Sequence, residues 1–244
     1  MSSLAKLIRI ETKLFVRDPT ALIVGLALPT VVLIGLGAVP ALREHSEQFG
    51  GVRFIDYFAP SLLVISVGMI GLTNLPTTMA SYRERGVLRR MRATPAHPGK
   101  LLFAQLVVSL GGALASAALV MAVGRTVYGV PLPGRPLGFA IAFVLGMAAV
   151  FSIGMLVAAV VPTSRSASGV ASLLFMLLMF FGGVYLPRFM LPDSIATVGE
   201  YTPPGVQALL DSWNGTAPSA AQLLAMGAIA LSAGALAART FKWE

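Results

Sequence analysis

Long uncharged apolar stretches alternate with short clusters of charge along this chain of 244 residues. Six stretches, 20–40, 57–78, 101–124, 137–161, 166–184 and 218–238, lie near the ~20 residues that a helix needs to cross the hydrocarbon core of a bilayer. The pattern predicts six transmembrane helices. Pro29 and Pro76 interrupt the first two spans and are expected to kink them. The first span exceeds the roughly 7–15 apolar residues of a cleaved signal, and further spans follow it.

Residues 1–19 carry a different period. Leu4, Leu7, Ile8, Ile10, Leu14 and Phe15 fall on one side of a helical wheel, and Lys6, Arg9, Lys13 and Arg17 fall on the other. That predicts an amphipathic helix lying in the headgroup layer, ended by Asp18-Pro19. Glu11 sits inside its apolar stripe, where a charge needs a partner. It either snorkels or pairs locally, or it meets an arginine of another cytoplasmic segment. Between spans five and six, residues 185–217 mix Pro187, Pro192, Pro203 and Pro204 with apolar runs such as Val206 to Leu210. One or two short helices dipping into the outer leaflet are expected there, because irregular backbone at that depth must be covered by protein or line a cavity. The chain therefore reads as one all-α integral membrane domain, 1–244, with a loop at 79–100 and a re-entrant segment at 185–217.

Composition sharpens this. Charged residues make up 11% of the chain and the mean hydropathy is +0.82. A soluble domain carries about 25% charge, so a water-soluble globular domain is excluded. The net charge of +8 does not point to nucleic acid, because the basic residues flank apolar spans. Thirteen of the 18 Lys and Arg fall in the N-terminus, the 79–100 loop, Arg165 and the C-terminus; Arg43, Arg53, Arg125, Arg135 and Arg188 fall on the other side. The positive-inside rule then places both termini in the cytoplasm of a multi-pass plasma-membrane protein. The absence of cysteine excludes disulfides, zinc thiolates and thiol nucleophiles.

No span carries Asp, Glu, Lys, Arg or His in its interior. Proton relays need such groups, and the two histidines, His45 and His97, lie in loops on opposite faces. An enzyme, a metal site and a proton-driven transporter are all disfavoured. Gly99-Lys100 resembles the end of a phosphate loop, but Leu101 stands where Ser or Thr is required and Thr94 where the first glycine belongs. The chain itself is expected to bind no cofactor and no ATP, so any work must be energised by another subunit.

Uncharged polar residues do occur within the spans: Thr73, Asn74, Thr77 and Thr78 in the second, Gln105 and Ser109 in the third, Ser168 and Ser172 in the fifth. They serve either as interhelical hydrogen bonds, each worth well under ~2 kcal/mol, or as the lining of a pathway for an amphiphilic substrate. Thr73, Asn74 and Thr77 are the pathway candidates, with Phe175 and Met179 of the fifth span, although the phenylalanines and methionines there more often pack.

Residues 81–95, SYRERGVLRRMRATP, form the densest charge cluster. Arg83, Arg85, Arg89, Arg90 and Arg92 surround Glu84, while Val87, Leu88 and Met91 give a small apolar stripe at helical spacing. A topology anchor on anionic lipid needs arginine alone. The glutamate, Gly86 and the stripe add the shape of a helix that docks into a groove of a cytoplasmic partner.

This loop resembles the cytoplasmic signature of ABC type-2 exporter permeases, the family of small six-span subunits that includes the daunorubicin-resistance permeases. The resemblance also covers the basic start ending in Arg17-Asp18-Pro19, Gly182-Gly183 followed by Tyr185-Leu-Pro187, and Tyr201-Thr-Pro203. It implies a permease that moves a hydrophobic or amphiphilic substrate outward, makes no covalent chemistry and pairs with a second permease chain as a homodimer. Two copies of a cytoplasmic ATPase would hold the ATP and Mg. Residues 1–17, with Glu11 and Arg17, would form the interface helix. Residues 82–95, with Arg83, Glu84, Arg85, Gly86, Arg89, Arg90 and Thr94, would form the coupling helix. Phe181, Gly182, Gly183 and Tyr185 would belong to the outer gate. The small chain suits a permease with no fused ATPase. The alternatives are a structural or assembly subunit that transports nothing, and an integral membrane enzyme acting on lipids.

Overall fold

A computed structural model describes residues 3–47, 51–92, 98–185 and 190–241. The described chain is helical apart from turns and a single bridge between His45 and Arg53. Helix α1 (Ser3–Arg17) precedes α2 (Ala21–Ala38) and α3 (Phe54–Glu84), and the short α4 (Val87–Arg92) leads to α5 (Pro98–Tyr128). Then come α6 (Pro136–Val160), α7 (Ser164–Phe181), the short α8 (Asp193–Glu200) and α9 (Val206–Trp213), and α10 (Ala220–Thr240). Six of them, α2, α3, α5, α6, α7 and α10, are long and apolar enough to cross a membrane. All six predicted spans are present.

The prolines do not break their helices. Residues Ala21–Ala27 and Met69–Asn74 are wound as π-helix, and Pro29 and Pro76 sit in the first turn of the α-helical segment that follows. A proline lacks the N–H of its turn, and its ring crowds the carbonyl four residues back. The wider π turn takes up that conflict inside a continuous helix.

Helix α3 is the most buried of the spans. Leu62, Leu63, Ile70, Leu72, Leu75 and Met79 are fully enclosed. Small residues let its neighbours approach, as in other membrane bundles. A Cβ on Gly68 would stand 2.8 Å from the Phe175 ring, and one on Gly71 would stand 2.7 Å from the Phe151 ring. Gly154 of α6 lies against the carbonyl of Gly71 itself.

Charge and polar backbone mark the two ends. At one end Arg53 forms a paired bond to Asp56 at 2.7 Å and donates to the Tyr128 carbonyl at 3.0 Å, tying α3 to α5. The backbone N–H groups of Gly134 and Arg135 reach the carbonyls of Trp213 and Ser212. The segment between α7 and α10 supplies two short helices, with Gly205 at φ 77° starting the second.

The opposite end carries the basic residues, and there the expected single helix over 82–95 is corrected. Tyr82, Arg83 and Glu84 continue α3, the chain breaks at Arg85-Gly86, and α4 is a separate six-residue helix. Gly86 has φ 65°, a left-handed conformation that side chains with a Cβ rarely take. Thr94 and Pro95 lie outside the described residues, as do His97 and Pro187.

Candidate functional site

Helix α1 lies along the basic end because its apolar stripe has somewhere to go. Phe15 packs over Gly112 of α5, where a Cβ would stand 2.6 Å from the ring. Lys100 at the start of α5 donates to Ser3 at 2.9 Å. The stripe is narrower than the wheel suggested. Leu4, Leu7, Ile8 and Phe15 face inward, whereas Ile10 and Leu14 are about half exposed, at 52% and 49%. An exposed apolar edge of that kind suits a helix lying in the headgroup layer.

Glu11 turns into the bundle and is only 4% exposed. Its partner is the phenol of Tyr82, which donates to the two carboxylate oxygens at 2.9 and 3.1 Å. Neither of the alternatives read from the sequence anticipated a tyrosine. Burial raises the Glu11 carboxyl above the usual carboxylate range, and the Tyr82 hydrogen bond partly offsets this.

The next two residues of α3 reach two other spans. Arg83 donates to the carbonyls of Val161, at 3.1 Å, and Ala158, which are among the orphan acceptors at the end of α6. Its guanidinium also lies 5.4 Å from the centre of the Phe241 ring, just beyond α10. Glu84 accepts from the backbone N–H and the hydroxyl of Ser164 at 3.2 and 2.6 Å. A carboxylate is favourable there, at the N-terminus of α7. Thus Tyr82, Arg83 and Glu84 join the end of α3 to α1, α6 and α7 respectively, with Phe241 adding the edge of α10.

Beyond that junction the surface is cationic. Arg85, Arg89 and Arg90 are exposed, and Arg90 folds back on the Arg85 carbonyl at 2.9 Å. Leu88 is buried at 1% and anchors α4 to the bundle, with Val87 and Met91 packed beside it.

Between α1, α3 and α5 lies a cavity of about 430 Å³. Its α3 wall consists of Asn74, Thr77, Thr78, Ser81 and Tyr82, which recur at the three- and four-residue spacing of one helix face. Glu11 and Gln105 face this wall, and Arg17 and Asp18 stand at the α1 end. Asp18 accepts from the N–H of Thr20 at 2.9 Å and so starts α2.

The predicted pathway residues divide. Asn74 and Thr77 line the cavity. Thr73 instead bonds back to the Met69 carbonyl, and Phe175 and Met179 pack on Gly68 in the core. At the far end Gly183 has φ 72° and closes α7: its N–H reaches the Phe180 carbonyl at 3.1 Å and that of Val184 reaches Met179 at 3.0 Å. A Cβ on Gly182 would stand 3.0 Å from Val206 of α9, and Gly199 of α8 abuts the Phe181 carbonyl. Tyr185 is half exposed. A second cavity of about 710 Å³ lies beside this junction, among Tyr57, Thr197, Gln207 and Asn214.

Sequence reasoning missed Tyr82 and Ser164 as partners of charged residues. The signal for Ser164 was its place beside Thr163, whose hydroxyl caps α7 by accepting from the Ser166 N–H. Nothing in the Tyr82 context named its partner.

Among the described residues no group of three or more His, Asp or Glu could hold a metal ion. The sequence model of the ABC-2 type transporter family matches residues 3–203, a stretch that includes α1 to α8. No curated protein matches the chain significantly.

Proposed function

This chain belongs to the ABC-2 type transporter family, as a permease component of an ABC transporter, and on that premise we propose that it exports a hydrophobic or amphiphilic substrate. A separate soluble ATPase, two copies on a permease homodimer, supplies the energy. The basic end faces the cytoplasm, since the charge bias of its loops follows the positive-inside rule. The chain then lies in the plasma membrane with both termini inside.

The observation that carries this reading is the junction at the end of α3. The cationic surface of Arg85, Arg89 and Arg90 is one short turn from residues that bind three other helices directly. A push on α4 by closing ATPase subunits is delivered to α1, α6 and α7 together, so the spans shift as rigid bodies. The exposed arginines offer charge-assisted contacts that fix the register of the partner. The chain's own part is to bind substrate differently in two conformations. The short helices α8 and α9 dip into the outer leaflet and close the exit against Phe181, Gly182, Gly183 and Tyr185.

Purification of the tagged chain from its native membranes in mild detergent tests the reading. A soluble ATPase is expected in stoichiometric amount. A preparation that lacks one even after crosslinking leaves a subunit of structural or assembly type instead.

A further inference from the structure

The cavity between α1, α3 and α5 is walled largely by polar side chains. Gln105 is only 4% exposed and lines the cavity. Asn74, Thr78 and Ser81 line the same space from α3. Glu11 brings the one deeply buried charge, and Tyr82 satisfies it with a neutral donor rather than a cation.

We propose that this cavity binds the head of an amphiphile carrying one protonated primary amine, which pairs with Glu11 and is flanked by Asn74, Ser81 and Gln105. Three observations fix the chemistry. The charged residues at the cavity are Glu11, Asp18 and Arg17, so the space is net negative, and of these Glu11 is the buried one. An ammonium has three donors and matches a carboxylate together with amide and hydroxyl oxygens. Leu14, Phe15 and Ala21 complete the wall, and half-exposed Leu14 gives an apolar tail a way out beside the headgroup layer. The volume is that of an ordinary small-molecule site. A zwitterionic phospholipid fits less well, because its phosphate would bring a second anion to Glu11 and Asp18. This inference rests on the permease reading only in making the bound amine a substrate; the binding itself does not depend on a partner.

The test uses the purified full chain, without any ATPase, in nanodiscs of phosphatidylcholine, with tritiated dodecylamine as the probe. Saturable binding above that of empty nanodiscs is expected, with dodecanol at least about tenfold weaker, the usual size of a charge-assisted hydrogen bond. Glu11→Gln, which keeps the shape and can still accept from Tyr82, should weaken the amine about tenfold and leave dodecanol unchanged. Asn74→Leu fills the cavity without touching the charge and should remove both. Equal affinity for amine and alcohol, an unchanged affinity in Glu11→Gln, or displacement of the probe by phosphatidylethanolamine included in the nanodiscs would overturn the assignment. Failure of this binding leaves the copurifying ATPase untouched, and absence of the ATPase leaves the binding untouched, so the two claims fail separately.

Discussion

The phenol of Tyr82, on the last turn of α3, donates at 2.9 Å to the buried carboxylate of Glu11, 71 positions earlier on α1. This phenol thus holds α1 to the most buried span. Removing the hydroxyl in Tyr82→Phe keeps the ring packing and leaves Glu11 buried without its donor. The expected cost is about 1–3 kcal/mol, the penalty for an unsatisfied buried group. It is read as faster amide exchange across residues 3–17 in the purified chain; exchange equal to that of the parent chain would show that the bond holds nothing.

The same pair makes the docking of α1 depend on pH. Burial raises the Glu11 carboxyl above its ordinary value, so the folded chain holds that proton more tightly than the unfolded chain does. Docking is then strongest below the ordinary carboxylate range, and it weakens as pH rises through the raised value. Tyr82, Arg17 and Asp18 share the space with Glu11. After correction for intrinsic exchange, protection of α1 should fall as pH rises above the ordinary carboxylate range in the parent chain and stay flat in Glu11→Gln. A parallel fall in both chains would assign the effect to another group.

Glu84 and Ser164 should behave as one unit in coupling. Glu84→Ala and Ser164→Ala each remove the 2.6 Å bond between α3 and α7. Each should leave ATP hydrolysis by the complex running while export falls, and the double variant should be no worse than the more severe single one. Arg85→Ala removes the contact proposed for the ATPase instead, and its loss of export should add to theirs. Export at the parent rate in Glu84→Ala would remove this junction from the mechanism.

Gly183→Leu places a branched side chain at φ 72° and is expected to destabilise the end of α7 by about 1–2 kcal/mol. Export should fall with it. Gly183→Asn, which tolerates the left-handed region, should recover most of both. If Gly183→Asn restores stability but not export, the glycine is needed for close approach during gating rather than for its backbone conformation.

Much of this was legible in the sequence. The six spans follow from apolar length alone, and Asn74, Thr77 and Thr78 already carried the spacing of one helix face. Glu11 announced itself as a charge in an apolar stripe, but its partner did not, because a contact between residues 11 and 82 is tertiary and leaves no local pattern. The length of α3 was misread for a related reason. Tyr82, Arg83 and Glu84 read as the start of a separate helix in the 79–100 loop, yet each finds a partner on another helix, and those bonds carry α3 six residues past the span end predicted at 78. Gly86 was visible as a glycine, but not as the left-handed break that separates α4. The π-helical turns ahead of Pro29 and Pro76 are likewise responses of the fold to a residue whose identity signals only trouble for a regular helix.

The central claim is that the basic end of the bundle is the ATPase face. The chain has no cysteine, so a single introduced thiol is unambiguous. With a thiol-reactive bifunctional crosslinker in native membranes, Arg90→Cys on the exposed face of α4 should trap a soluble ATPase chain. Arg125→Cys, at the other end of α5, should trap none. An ATPase captured equally from both positions, or from neither while the complex remains intact, would contradict the account.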